Sequence, residues 1–362
     1  MAHETARTEV VVIGGGVVGV SVARHFAMRG IEVILIEQES RLGSATSARN
    51  SGVIHAGLYY PENSLKEKLC LRGKELLYRY CAQKGIPHKR IGKWIVSTPG
   101  QEKALEEIYL RAVRNGVPIR RLSGSSVRKE SSELACTEAL DSPTTGIIDV
   151  QHLIQSLSLD CERAGGIVHC GAKVASLRVD TGNALLLLED GTQILADLAV
   201  NAAGLNALGL LLEDAPRDYT NLYLKGSYFA YSGAVPFRQL VYPIPADRGL
   251  GIHLTYDLTG AAKFGPNVFR VREPEFSVRD ADLPEFVKAI RQYWPNLDPS
   301  KLRPDYSGVR PKLMCGNQVV DDYVFWGQRN GGKCSVLSLL GIDSPGLTSC
   351  LAIADHVFQL VA

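Results

Sequence analysis

Three glycines near the N-terminus, Gly14, Gly16 and Gly19, form the pattern G-x-G-x-x-G. They follow the apolar run "TEVVVI" and precede "VVGVSVARHFAMRG", whose apolar residues recur at helical spacing. Between a strand and a helix, such glycines permit a tight turn, let the backbone approach a pyrophosphate and let the helix pack closely on the strand. Phosphates would face the free N–H groups that begin the helix at Val17 and Val18. The spacing predicts a dinucleotide site.

An acidic residue supports this interpretation. The next apolar run, "IEVILIE", ends in Glu37, which is followed by Gln38. Glu37 stands about 20 residues after the glycines, where a carboxylate can accept hydrogen bonds from both ribose hydroxyls and would repel a 2′-phosphate. FAD and NAD both use this arrangement, so the glycines and the acid do not distinguish them.

The segment "SARNSGVIHAGLYY" (47–60) carries further reactive side chains. A solvated loop would explain its polar residues, but not its glycine spacing or the apolar neighbours of His55. An NAD-dependent dehydrogenase would continue with alternating strands and helices after Glu37. Here this glycine-spaced segment follows, and "GIDSPGLTSC" near the C-terminus offers a second glycine turn before a helix. Two loops that meet one extended cofactor favour FAD. We expect the FAD to bind non-covalently, because no cysteine or histidine lies in a sequence context that predicts a covalent bond to the flavin.

The elements that must position these residues fall into two groups. A strand–helix–strand unit opens the chain, and buried strands with an apolar helix close it. The stretch 221–309 is strand-like and rich in Tyr, Pro and Gly, as in an antiparallel sheet. We therefore predict a mixed α/β (α+β) fold. It has a Rossmann-like FAD-binding domain (1–80, 145–220 and 320–362) and an antiparallel-sheet substrate domain (81–144 and 221–319).

Composition excludes several functions. The 362 residues carry a net charge of +2, and the basic residues are scattered, so nucleic-acid binding is not expected. The 8 cysteines are widely spread and form no zinc-like cluster, which predicts no metal site and mostly buried thiols in a reducing compartment. The N-terminus lacks a signal-peptide apolar stretch, and no run approaches the roughly 18 apolar residues of a membrane span. We expect a cytoplasmic location and leave peripheral membrane contact open.

Several motifs together resemble the flavin-dependent D-amino-acid-oxidase (DAO) superfamily: "VVVIGGGVVGVSVAR", "TSARNSGVIHAGLYY", "SLKEKLC", "VNAAG", "GVRPK" and "SPGLT". Within it, "NSGVIHAGLYYPENSLKEKLC" is most similar to L-2-hydroxyglutarate dehydrogenases. The resemblance covers nearly the whole chain. It implies oxidation of an L-2-hydroxy acid, with L-2-hydroxyglutarate as the expected substrate, to the 2-oxo acid by hydride transfer to flavin N5. The alternative enzyme is an amino-acid oxidase or a glycerol-3-phosphate-type dehydrogenase on the same fold. The non-enzymatic alternative is a protein module that binds flavin without turnover.

The resemblance also implies where the cofactor lies. The segment after the first strand pair would follow the pyrophosphate and flavin, Val174 would meet the adenine through its backbone, and the start of the last helix would meet the flavin. Together with the glycine turn, the expected cofactor-binding residues are Gly14, Gly16, Val17, Val18, Gly19, Glu37, Gln38, Thr46, Ser47, Arg49, Asn50, Ser51, Val174, Ala203, Gly204, Gly341, Gly346, Leu347 and Thr348.

Oxidation of such an acid needs a carboxylate clamp and a base for the hydroxyl proton. Arg310 in "GVRPK" is the expected clamp, because a guanidinium binds a carboxylate through two hydrogen bonds, and Pro311 would stiffen the turn after it. His55 and His253 compete as the base.

The remaining expectations concern substrate and electron acceptor. Reduced flavin would pass its electrons to a quinone, another carrier or oxygen. Tyrosines in a sheet either line a pocket or only pack, and lysines can hold the second carboxylate of a dicarboxylic acid. The candidate substrate residues are Tyr59, Lys225, Tyr228, Tyr242 and Lys312.

Overall fold

The computed structural model describes residues 5–212, 215, 218–245, 250–330 and 333–362. Most helices follow the expected apolar periodicity, and the second one is capped by Ser64, whose hydroxyl accepts a hydrogen bond from Glu67 N at 3.1 Å. The helices within these ranges are α1 (Val17–Ala27), α2 (Leu65–Lys84), α3 (Glu102–Arg114), α4 (Gly124–Glu130), α5 (Val150–Arg163), α6 (Leu283–Arg291) and α7 (Gly346–Val361).

The strands in the same ranges belong to three sheets. They are β1 (Thr5–Ile13), β2 (Val33–Glu37), β3 (Val53–Ile54), β4 (His88–Lys89), β5 (Lys93–Ser97), β6 (Arg120–Ser123), β7 (Glu138–Ser142), β8 (Gly146–Ile148), β9 (Ile167–Cys170), β10 (Val174–Asp180), β11 (Asn183–Leu188), β12 (Gln193–Asn201), β13 (Tyr219–Tyr231), β14 (Leu240–Pro243), β15 (His253–Tyr256), β16 (Ala262–Gly265), β17 (Phe269–Val271), β18 (Leu302–Cys315), β19 (Gln318–Val320), β20 (Val324–Asn330) and β21 (Lys333–Leu340).

The first sheet contains the opening strand–helix–strand unit. Its order is β10-β11-β12-β1-β2-β9, and β21 pairs with both β12 and β20. The pairs β1–β2, β1–β12, β2–β9 and β12–β21 are parallel. Parallel strands are normally covered on both faces. Here α1, α5 and α7 share one core with β1 and β2, and apolar residues of β10–β12 form a second core with Val11 and Ile13.

The second sheet is mostly antiparallel. Its order is β19-β18-β13-β16-β15-β14-β5-β7-β6, with β17 on β13, and the parallel pair β14–β5 is the exception. A small third sheet has the order β3-β8-β4. The expected mixed fold with parallel and antiparallel sheets is confirmed. The domain limits stay a prediction, because sheet membership alone does not show which segments fold independently.

A close helix contact positions the segment that carries His55. A Cβ added to Gly73 in α2 would lie 2.4 Å from the carbonyl oxygen of Thr348 in α7, so only glycine allows this approach. The side chain of Asp322 accepts hydrogen bonds from the backbone N–H groups of Leu65 and Lys66 at the start of α2. The Gly73 contact sets α2 against the first turn of α7, next to residues 53–60, and Asp322 fixes the start of α2.

The structure also bears on the expectations about membrane spans, metal sites and cysteines. No helix in the described part of the chain has both the length and the apolarity of a membrane span. No group of three or more His, Cys, Asp or Glu side chains suited to a metal ion occurs in those same ranges. Within the described residues the eight cysteines form no disulfide, and most of them are buried.

Candidate active site

A cavity of about 1190 Å³ is bounded by residues of both large sheets. The first sheet contributes Ile13, Ile36 and Val174, and the second contributes Tyr242 and His253. The cavity therefore lies where the carboxyl ends of β1 and β2 meet the antiparallel sheet. Ligands of parallel sheets bind in this position.

The glycine turn is as tight as its spacing predicts. Gly14 has φ +105°, and an added Cβ would lie 2.6 Å from the carbonyl oxygen of Ala202. A Cβ on Gly19 would lie 1.9 Å from Gly14 O, so helix α1 can pack here only without a side chain. Gly16 lines the cavity. This backbone leaves the start of α1 open to a ligand, which is the arrangement that holds a pyrophosphate.

Glu37 lies at the end of β2 with its carboxylate in the same wall. Oε2 accepts a hydrogen bond from Gly15 N at 2.5 Å, and Oε1 accepts one from Glu39 N at 2.8 Å. Each carboxylate oxygen can accept more than one hydrogen bond. The group is thus oriented by the backbone and still able to accept hydroxyl donors.

The 3₁₀ turn Thr46–Ala48 and the following Arg49 are held between helix α1 and the second sheet. Ser47 Oγ accepts a hydrogen bond from Val17 N at 3.0 Å, which caps α1 from outside. The Arg49 guanidinium lies 4.3 Å from the Phe276 ring centroid and donates to Ser307 O at 3.3 Å. The loop therefore bridges the glycine turn and β18.

His253 projects from β15 into the cavity wall. Its Nδ1 lies 2.8 Å from Gly251 O, so Nδ1 carries the proton and donates it, which leaves Nε2 as an acceptor. The ring stacks on Tyr242 with centroids 3.7 Å apart. Burial, and then the charges of Lys93 and Arg310, lower the pKa of His253 to about 3. His253 is therefore neutral at physiological pH.

His55 follows β3 and faces the start of α7. Its backbone N donates to Thr348 Oγ1 at 3.0 Å, and its Nε2 lies 3.2 Å from Ser344 Oγ. Burial, followed by the charges of Lys93 and Arg310, lowers the pKa of His55 to about 3. A second neutral imidazole thus lies at the same end of the cavity.

Arg310 also lines this end of the cavity, from the middle of β18. It pairs in register with Leu224 of β13, and Pro311 pairs with Tyr223. The expectation that Pro311 stiffens a turn after Arg310 is wrong, because both residues lie inside a strand. Proline is tolerated there because β19 begins to pair with β18 only at Leu313.

Most of the residues expected at the site line this one cavity. They are Gly14, Gly16, Val17, Val18, Glu37, Gln38, Thr46, Ser47, Arg49, Asn50, Ser51, His55, Val174, Ala203, Gly204, Tyr228, Tyr242, His253, Arg310, Gly346 and Leu347.

Six expected residues lie outside the lining: Gly19, Tyr59, Lys225, Lys312, Gly341 and Thr348. The Thr348 hydroxyl instead donates to Val53 O, at 3.4 Å, and so supports the His55 segment. Both lysines already have carboxylate partners. Lys225 pairs with Glu275, and Lys312 Nζ lies 3.4 Å from Asp343 Oδ2. A substrate role for these two lysines stays a prediction. The ion pairs argue against it, because each ammonium group is already paired with a carboxylate of the protein.

Sequence reasoning missed several residues around the cavity. Ser344 contacts His55, and Gly308 approaches the loop so closely that an added Cβ would lie 2.4 Å from Arg49 O. Lys93, which lies near both histidines, was also missed. The sequence does single out Lys93, because it is a charged residue at the start of the buried apolar strand "KWIVS".

The cavity fits FAD on observations of this chain alone. The glycine cradle excludes Cβ atoms, α1 begins without an acidic residue in its first turn, and the oriented carboxylate of Glu37 lies beside them. The cavity then continues to the histidines and Arg310. The residues that would hold the group are those of the glycine turn, Glu37, the 46–51 loop and the start of α7.

A Rossmann-type turn that shares a cavity with two neutral imidazoles and an arginine is the arrangement expected of a dinucleotide-dependent oxidoreductase. A family model described as "DAO: FAD dependent oxidoreductase" matches residues 9–360. The chain belongs to this family, and the expectations of its family, of FAD as cofactor and of a redox enzyme are confirmed.

Similar proteins support the assignment across the whole chain. A protein named L-2-hydroxyglutarate dehydrogenase, mitochondrial, from Arabidopsis thaliana is 38% identical over 399 residues, covering 97% of this chain and 83% of the relative. The Homo sapiens protein of the same name is 28% identical, covering 98% and 89%. Among solved structures, FAD-bound L-alpha-glycerophosphate oxidase from Mycoplasma pneumoniae has a TM-score of 0.90 at 22% identity, covering 98% and 95% of the two chains. Glycine oxidase from Geobacillus kaustophilus has a TM-score of 0.81 at 19% identity, covering the same shares. These two structures share the fold.

Proposed function

We propose that this enzyme oxidises L-2-hydroxyglutarate, or a closely similar L-2-hydroxy acid, to the 2-oxo acid. The observation that carries the proposal is the meeting of Arg310, His55 and His253 at one end of the cavity. The names of the curated relatives support the same substrate. Bound FAD supplies the acceptor for the two electrons and the hydrogen that leave the substrate carbon.

Arg310 binds the carboxylate next to the reacting carbon in this scheme. Its guanidinium can donate two parallel hydrogen bonds, which fix the orientation of the acid as well as its position. The long pairing of β18 with β13 holds the arginine backbone rigidly. A rigid anchor presents the substrate C–H and O–H groups in one direction, which is the geometric requirement for the reaction.

One of the two histidines accepts the hydroxyl proton. His253 is already in a suitable tautomer, because its Nδ1–H donates to Gly251 O and its Nε2 is an acceptor. The Nε2 of His55 is near the Ser344 hydroxyl, which could relay or orient a proton. Both rings are neutral at physiological pH, as a base must be before it acts.

Substrate binding and proton transfer are coupled through charge. After burial, Lys93 and Arg310 are the charges that lower the pKa of His55. A bound carboxylate would offset these positive charges and raise the pKa of the histidines. The imidazole would thus become a stronger base once the acid is in place, which favours proton acceptance only when substrate is present.

An anaerobic titration tests the proposal. The purified flavoprotein is mixed with L-2-hydroxyglutarate, other L-2-hydroxy acids, amino acids and glycerol 3-phosphate, and the flavin absorbance is followed. We expect bleaching by L-2-hydroxyglutarate at the lowest concentration. Preferential bleaching by an amino acid or by glycerol 3-phosphate would establish the alternative enzyme classes. A flavin that none of these compounds reduces would indicate a binding module without turnover.

The electron acceptor stays a prediction, as a quinone, another carrier or oxygen. The location in the cell also stays a prediction. The sequence predicts a cytoplasmic protein, whereas the curated relatives are named mitochondrial, so this expectation does not match their names. Peripheral membrane contact is tested by whether sedimented membranes retain the enzyme and accept its electrons.

A further inference from the structure

Lys93 is a buried lysine without a counter-ion. It begins β5, its side chain is fully enclosed at 1% exposure, and no ion pair or hydrogen bond of the described residues reaches its ammonium group. Its Nζ lies 4.7 Å from the ring centroid of Tyr59 and 4.6 Å from that of Tyr242. Burying a cation without a partner costs folding free energy. A ligand that brings a negative charge to Lys93 would offset that cost, which gives a physical reason for a lysine at this position.

Sheet register places Lys93 on the substrate side. Lys93 pairs with Leu240 and Ile95 pairs with Tyr242 in the parallel pair β5–β14, so Lys93 and Tyr242 point to the same face. Tyr242 stacks on His253, and both line the cavity. Lys93 is therefore in the layer directly behind this cavity wall, on the face that carries the candidate base.

A second unpartnered group lies beside Lys93. The Tyr59 hydroxyl is buried and has no hydrogen-bond partner among the described residues. Burial raises the pKa of Tyr59 well above its ordinary value, so the hydroxyl remains a donor. An ammonium and a hydroxyl that both lack an acceptor fit a carboxylate, which can accept from both.

We propose that Lys93, with the Tyr59 hydroxyl, forms the subsite for a second carboxylate and so selects dicarboxylic over monocarboxylic hydroxy acids. This inference rests on the proposed function, with Arg310 binding the carboxylate beside the reacting carbon. It replaces Lys225 and Lys312 in that role, because their charges are already paired with Glu275 and Asp343. Lys93 and Tyr59 lie outside the cavity lining, so the second carboxylate reaches the ammonium group only if the Tyr242 ring, which does line the cavity, moves when the acid binds.

Substitution of Lys93 by methionine tests the subsite. The kcat/KM for L-2-hydroxyglutarate is divided by that for L-2-hydroxypentanoate, which has the same carbon chain without the second carboxylate. In Lys93→Met this ratio should fall at least about tenfold, the effect of losing one charge-assisted hydrogen bond. In the control Lys263→Met the ratio should not change, since Lys263 is on the same sheet but is paired with Asp305 at 3.0 Å. An unchanged ratio in Lys93→Met overturns the inference, as does an equal loss on both substrates.

Tyr59→Phe is the second variant, because it keeps the ring against Lys93 and should fold even if Lys93→Met does not. We expect the same ratio to fall several-fold. A ratio equal to that of the wild type removes Tyr59 from the subsite. Both ratios require turnover of L-2-hydroxyglutarate. If wild-type enzyme does not oxidise L-2-hydroxyglutarate at all, the function fails, while the binding comparison below still reports on the cation.

Wild-type enzyme provides that comparison through the pH dependence of inhibitor binding. Burial lowers the pKa of Lys93 to about 7. Lys93 is therefore charged below that pH and neutral above it, and the dissociation constant of glutarate should rise as pH increases through about 7, while that of pentanoate should rise less. Equal pH profiles for the two inhibitors overturn the inference. The pKa values of five neighbouring groups lie away from this range. Burial raises the pKa of Cys70 to about 12 and the pKa values of Tyr59 and Tyr242 well above the usual value, and it lowers the pKa values of His55 and His253 to about 3.

Discussion

The two ends of the cavity are built in different ways. At the dinucleotide end, backbone groups of nearby residues form the wall, and glycines are needed because added Cβ atoms would overlap the chain. At the substrate end, side chains arrive from β14, β15, β18 and the segment after β3. Backbone groups suit a cofactor common to many enzymes, whereas side chains from separate segments can change independently. The comparison assigns cofactor binding to one end and substrate choice to the other.

The largest expected effect comes from filling the dinucleotide end. Gly16 has an ordinary backbone conformation, and an added Cβ would meet only Ser47 Oγ at 3.2 Å, so Gly16→Val should fold. The valine side chain would occupy the space beside the start of α1. We expect folded, colourless protein without activity, measured by circular dichroism and the ratio of flavin to protein absorbance.

A matched control is Gly30→Asn, just beyond the end of α1. Gly30 has φ +75° with nothing near its Cβ position, and asparagine tolerates that conformation. This variant should remain yellow and active. Full flavin content in Gly16→Val would show that the glycine turn does not approach the cofactor.

The next effect concerns the base at the substrate end. In His253→Asn, the amide can still donate to Gly251 O, while the acceptor nitrogen is lost. In His55→Gln, the amide can still reach Ser344. Loss of the base should lower kcat by about 10²–10⁴-fold with flavin retained, and loss of the other histidine should cost much less. Rapid-mixing measurement of flavin reduction decides between them, and near-normal reduction in both variants would exclude both as the base.

A smaller effect is expected for the carboxylate clamp. Arg310→Lys keeps the charge but not the two parallel hydrogen bonds, so kcat/KM should fall by about 10–100-fold with flavin binding intact. Arg303→Lys, at the exposed start of the same strand, is the control and should behave as the wild type. If Arg310→Lys also loses flavin, then the separation of the two ends is incomplete.

The same contrast explains what could be predicted from the sequence. The glycine turn and Glu37 are contiguous in a strand–helix–strand unit, so local spacing was sufficient to predict their geometry. Local spacing could not predict that Arg310 lies inside a strand. The segment "GVRPK" resembles a turn locally, and it is extended because it pairs with β13. The ion pairs of Lys225 and Lys312 join residues far apart in the sequence, and Lys93 becomes meaningful only after β5 pairs with β14.

The last expected effect is on stability and not on rate, and it sharpens the comparison from the substrate end. The pKa values of His55 and His253 fall from 6.5 to about 3 on folding, so below pH 6.5 the unfolded state binds more protons and the free energy of unfolding decreases as pH falls. Each histidine should contribute a slope of up to about 1.4 kcal/mol per pH unit. Urea unfolding with FAD in excess, from pH 6.5 to about 4.5 where most carboxyl groups remain charged, should therefore show a shallower slope for the double variant His55→Gln/His253→Asn than for the wild type. The lowered pKa of His356 contributes equally to both proteins and cancels in the difference. Parallel profiles would mean that the two imidazoles are not neutral in the folded enzyme, and the coupling of proton acceptance to substrate charge would lose its basis.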